Sequence, residues 1–189
     1  MQAGALGAAA GLVLWLSAGN RVELNIDEGI YLEGARRVAA GQWPYRDFFV
    51  LTGPGSFWSL GGIFALLGVS LEAARAWMCI LHGVMVSCVA LLTRDRIGAG
   101  AALTAGATLL GFLLLNPNLF TVNHRLESAV LALAGITLLA TTPAPVSTGR
   151  SLLAGLLLGW AARVTPPVAL AAAAAAVWCV RWSRPSTVP

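Results

Sequence analysis

The stretch Arg75-Ala76-Trp77-Met78-Cys79-Ile80-Leu81-His82-Gly83-Val84-Met85-Val86-Ser87-Cys88-Val89-Ala90-Leu91-Leu92-Thr93-Arg94-Asp95-Arg96 decides the fold. From Ala76 to Thr93 it carries no Asp, Glu, Lys or Arg. An apolar run of this length crosses a bilayer as a helix. Trp77 at its start and Arg94-Asp95-Arg96 at its end suit the two membrane–water interfaces. The rest of the chain has the same character: 58% of its residues are hydrophobic and 11% charged, against about 25% charged in ordinary soluble domains. The expected class is therefore all-α, a polytopic helical membrane protein.

Outward from residues 75–93, further apolar segments predict spans over 3–19, 99–115 and 128–142. No basic residue precedes Arg21, which argues for a retained first helix rather than a signal peptide. Residues 151–182 are too long for one upright helix, and Arg163 and Pro166-Pro167 interrupt them. An arginine at mid-membrane costs about 2.5–3.5 kcal/mol on insertion scales, so a broken hairpin or kinked span is expected there. Thr141 to Gly149 reads as a linker.

Residues 20–74 are expected to form a long first extracytoplasmic loop carrying one or two interfacial helices. Tyr31, Ala35 and Val38 fall at helical spacing, with Glu33, Arg36 and Arg37 opposite; Gly41 and Pro44 follow as stops. Arg36 and Arg37 read as lipid-headgroup anchors. The segment from Gly53 to Val69 is ambiguous: 17 residues reach about 26 Å as a helix, against a hydrocarbon core of about 30 Å. The interfacial reading places Arg94, Arg96, Arg150, Arg181 and Arg184 on the cytoplasmic side. Asp27, Glu28, Arg75, His124, Arg125, Glu127 and Arg163 then gather on the other side.

All twelve basic residues are arginine, scattered between apolar segments, and the net charge is +4. That is no nucleic-acid footprint, and no nucleic-acid partner is expected. Cys79, Cys88 and Cys179 lack metal-site spacing and read as packing residues. No metal or other cofactor is expected: His124 and Glu127 lie three apart but have no third ligand. The acidic pair Asp27-Glu28 stands out beside a membrane, where ionisable groups are expensive. It has a plain alternative, a helix start capped by Asn25 with both carboxylates favoured by the dipole. Arg75 has one too, pairing with Glu72 three residues earlier. His82 reads first as a helix-packing residue, and Tyr31 as a packing residue or interfacial anchor.

Asp27-Glu28, Tyr31, Ala35, Gly41, Pro44-Tyr45, Asp47, Gly53-Pro54, Gly68 and Arg75, in this order, resemble the start of the polytopic glycosyltransferases of the GT-C superfamily. The branch most alike is that of the protein O-mannosyltransferases and aminoarabinose transferases. The resemblance covers the first half of the chain; the remainder matches only in hydropathy. It implies transfer of a sugar from a polyprenyl-phosphate-linked donor to a protein or lipid acceptor. The reaction would be inverting, on the periplasmic face of the bacterial cytoplasmic (inner) membrane, among membrane lipids. It implies Asp27 as general base with Glu28 supporting it. Tyr31, Arg75, His124, Arg125, Glu127 and Arg163 are the implied substrate-binding residues, the arginines meeting lipid phosphate. Members of the superfamily are longer, so a partner subunit or a further C-terminal portion is expected. A non-catalytic membrane subunit or lipid-linked-sugar binding module remains the alternative, and a small carrier or flippase the third reading.

Overall fold

The computed structural model describes residues 2–18, 26–141, 146–170, 173, 174 and 177. Its elements are α1 (Gln2–Ala18), α2 (Ile26–Ala39), α3 (Gly55–Leu67), α4 (Leu71–Arg96), α5 (Ala99–Leu114), α6 (His124–Ala140) and α7 (Thr148–Val164), with a 3-10 turn at Pro117–Phe120. Among the described residues there is no β-strand, only an isolated bridge between Pro44 and Phe48. The fold is all-α. Asn25, the expected cap of α2, and Cys179, Arg181, Trp182 and Arg184 lie outside the described residues.

Helix α4 is the element against which the others are arranged. It packs on α1, α3, α5 and α6, while α6 packs on α7 and α2 on α3. Its 26 residues correspond to about 39 Å. Among the described residues it is the one helix long and apolar enough to cross a membrane by length and composition. It begins at Leu71 rather than at Arg75, because the Ser70 hydroxyl accepts the Ala73 amide at 3.0 Å and caps it. Glu72 in the first turn and Arg94 and Arg96 in the last complement the helix dipole. Likewise α6 starts at His124, before the apolar run, since the Asn123 side chain accepts the Arg125 amide at 2.9 Å.

The α1–α4 crossing depends on glycine. Gly7 and Gly11 lie one turn apart on α1 and face Gly83 of α4. A Cβ added at Gly83 would stand 2.6 Å from the Gly7 carbonyl oxygen, and one at Gly11 would stand 3.2 Å from that of Cys79. Small residues at this spacing let two backbones approach closely. Gly83→Leu is expected to destabilise the protein by about 1–3 kcal/mol or more through overpacking. Gly100→Ala, with nothing within 4 Å of its new Cβ, should be neutral or stabilising. Equal melting losses in the two variants would refute the close-approach account.

Tyr31, Ala35 and Val38 are buried, as the helical spacing anticipates. They meet α3, whose Phe57 ring occupies the space above Gly34. With 13 residues, α3 reaches only about 20 Å. Helix α7 ends at Val164, ahead of Pro166-Pro167, which cannot continue it without losing backbone hydrogen bonds. Its last residues reach the loop before α3: a Cβ on Gly53 would meet the Arg163 carbonyl and stand 2.6 Å from that of Val164. The starts of α2, α3, α4 and α6 and the end of α7 thus come together at one end of the molecule.

Candidate active site

The acidic pair is divided by the fold. Glu28 is buried at 4% exposure. Its Oε1 accepts Arg75 Nε at 3.3 Å and its Oε2 accepts Arg75 Nη2 at 3.0 Å. Oε1 also accepts the Val122 amide at 3.1 Å. One carboxylate thereby ties α2 to α4 and to the segment leading into α6. Arg75 is buried, at 2% exposure, and its ion pair runs to Glu28, 47 residues earlier. A buried guanidinium requires a matched counter-charge, and Glu28 supplies it in a bidentate pair. This is also why α4 can begin four residues ahead of Arg75 without stranding a charge.

Asp27, one residue earlier, is exposed. Its charge acts on Tyr31 and His124. The Tyr31 hydroxyl lies 2.6 Å from His124 Nδ1 and 3.3 Å from Thr52 Oγ1, and the two rings stack at 5.2 Å. Phe57 packs on the Tyr31 ring at 5.3 Å. Burial raises the Tyr31 phenol above its ordinary value; the Thr52 hydrogen bond opposes this, and Asp27 adds to it. The phenol holds one proton, so its direction depends on the imidazole. With His124 neutral and protonated on Nε2, Tyr31 donates to Nδ1. A protonated ring donates to the phenol oxygen instead, and Tyr31 then donates to Thr52.

His124 precedes the apolar stretch that begins at Ser128. Burial lowers its pKa from the ordinary 6.5, Arg125 does so as well, and Asp27 opposes them. A depressed folded-state pKa means that the unfolded chain takes the proton first, so this part of the stability is lost as pH falls below 6.5. His124→Gln is expected to flatten the fall in melting temperature between about pH 7.5 and 5.5; an unchanged slope would remove His124 from that role.

Glu127 is also buried, at 3% exposure. It accepts a hydrogen bond from Ser56 Oγ of α3 at 2.6 Å. Burial raises its carboxyl, opposed by Ser56 and Ser59. The Ser56 bond joins α3 to α6 and leaves Glu127 Oε1 buried without a hydrogen-bond partner among the described residues. Arg125 is exposed beside His124, and Arg163 is exposed in the last turn of α7. Among the described residues no group of three or more His, Cys, Asp or Glu side chains is placed to hold a metal.

Thr52, Ser56 and the Val122 amide were not singled out by sequence reasoning. None has a local signal, because each matters only through a partner far along the chain. Tyr45 was quoted only as part of a motif. It holds a left-handed backbone (φ 67°) that residues with a Cβ rarely adopt. The turn is held by Asp47, which accepts the Trp43 amide at 2.7 Å and pairs with Arg46. Those bonds keep the Asp47 carboxyl down at about 2. From this turn the Tyr45 hydroxyl donates to the Thr52 carbonyl at 2.7 Å, which brings the loop to the Tyr31–His124 cluster.

No protein-family model, curated protein or solved structure matches this chain.

Proposed function

We propose that this chain is a membrane glycosyltransferase, or the N-terminal portion of one. It moves a sugar from a polyprenyl-phosphate carrier to a hydroxyl of a protein or lipid acceptor. The setting is the periplasmic face of a bacterial inner membrane, with α4 and the shorter apolar helices α1, α5 and α6 as multi-pass spans. The observation that carries the reading is the division of the acidic pair: Glu28 is locked by Arg75, and Asp27 stands exposed beside Tyr31 and His124. A buried, fully engaged neighbour fixes the start of α2 and so orients Asp27, as a base must be oriented.

In the reaction, the Asp27 carboxylate takes the proton of the acceptor hydroxyl as that oxygen bonds to the anomeric carbon. The bond from that carbon to the phosphate oxygen breaks, its electron pair leaves with the carrier phosphate, and the anomeric centre inverts. Arg125 and Arg163 are the exposed cations for the leaving phosphate. Arg75 acts one step back, by holding Glu28. Placement of α2 and α3 against each other suits a loop lying on the membrane surface above the site.

The test supplies purified protein with a radiolabelled polyprenyl-phosphate sugar and candidate acceptors, comparing wild type with Asp27→Asn. Transfer by wild type alone is the expected result. Equal transfer by both proteins removes Asp27 from catalysis. Tight binding of the lipid-linked sugar without transfer by either would make this chain a binding module.

A further inference from the structure

Helix α2 carries a ridge with an apolar furrow on each side. The ridge is built on Gly29, Glu33, Arg36 and Arg37. One furrow, a cavity of about 440 Å³, is walled by Ile30, Phe48, Phe49, Val50 and Phe57 and reaches Arg37. The other, about 380 Å³, is walled by Leu32, Phe64, Val69 and Leu71 and reaches Arg36. Gly29 and Glu33 line both. Both volumes fall within the range of small-molecule sites, and Phe49 is 81% exposed at the mouth of the first.

The charge of the ridge is fixed. Arg36 gives Glu33 two hydrogen bonds, at 2.7 and 2.9 Å, and Arg37 gives one at 2.9 Å. These hold the Glu33 carboxyl at about 2, so it stays ionised. Two guanidiniums against one carboxylate leave the ridge at +1. All three side chains are substantially exposed, at 53%, 39% and 46%. At Gly29 the helix has no side chain, and nothing lies within 4 Å of where one would begin.

We propose that a two-chain phospholipid with a net negative headgroup binds astride α2. Its phosphodiester meets Arg36 and Arg37, and one acyl chain runs into each furrow across Gly29. The single negative charge of the headgroup matches the ridge, and two chains match two furrows that share a lip. The helix amides along the furrows are engaged within α2, so the walls offer dispersion rather than hydrogen bonds, as a hydrocarbon chain requires. Such a lipid would fix the height of α2, and with it Asp27, at the membrane surface. The binding claim does not depend on the transferase reading.

The test measures lipid retained by the purified protein in detergent, by native mass spectrometry, with phosphatidylglycerol, phosphatidylcholine and lyso-phosphatidylglycerol as probes. One retained phosphatidylglycerol is expected, favoured over the other two. Arg36→Gln and Arg37→Gln should each lower retention about fivefold. Gly29→Leu should lower it by filling the lip of both furrows. Arg46→Gln, on an arginine outside the furrows that pairs with Asp47, should leave it unchanged. Helical content and melting temperature are followed in every variant. Equal retention of phosphatidylcholine or of the lyso-lipid would overturn the proposal, as would an Arg46→Gln loss as large as that of Arg37→Gln or full retention in Gly29→Leu.

Discussion

Arg75→Met is expected to destabilise the protein by about 3–5 kcal/mol, the cost of stranding one partner of a buried ion pair. The Glu28 carboxylate would keep the Val122 amide but lose both guanidinium bonds in a place shut off from water. Exposed pairs set the contrast: Arg36–Glu33 and Arg46–Asp47 lie at the surface, where pairs contribute about 0–1 kcal/mol. Arg46→Met should therefore barely move the unfolding midpoint. The double variant Glu28→Gln/Arg75→Met removes both charges while keeping an acceptor for Val122, and should recover a large part of the loss. Unfolding titrations in detergent on wild type, Arg75→Met, Glu28→Gln and the double variant give the coupling directly. A single-variant cost under about 1 kcal/mol would mean that water reaches the pair.

Asp27→Asn is expected to leave stability nearly unchanged and to lower sugar transfer by about 10²–10⁴-fold, the usual share of a positioned general base. The side chain is exposed, so an isosteric amide removes the proton acceptor without opening a cavity. In Glu28→Gln the losses should be reversed: the fold weakens first, and transfer falls in proportion to the misplacement of Asp27. Two adjacent carboxylates would thus separate cleanly, one by turnover and the other by melting temperature. An Asp27→Asn protein with full turnover and a lowered melting point would reverse the two roles, and would sink the proposed mechanism.

Much of the local structure could be read from the chain. The apolar run after Arg75, the period of Tyr31, Ala35 and Val38, and the pair Pro166-Pro167 after Val164 each act through neighbours in sequence. Burial face and helix termination depend on exactly such short-range patterns. The burial of Arg75 and Glu127 is not legible in that way, because the partners that repay the cost of burying a charge lie far away along the chain. Glu28 is 47 residues from Arg75, and Ser56 is 71 residues from Glu127. Ser70 and Asn123 then start α4 and α6 ahead of their hydrophobic stretches, since a capping hydrogen bond sets a helix end independently of hydropathy.

By itself, then, the sequence determined that this is an all-helical protein with a long apolar helix after Arg75, and that Tyr31, Ala35 and Val38 share one face of an amphipathic helix. Those properties follow from composition, period and local stops. Only the tertiary structure decided that Glu28 is a buried tie and Asp27 an exposed group, and that Tyr31, Thr52 and His124 form one cluster. Adjacent residues on a helix point about 100° apart, so what each one meets depends on which distant helices pack there.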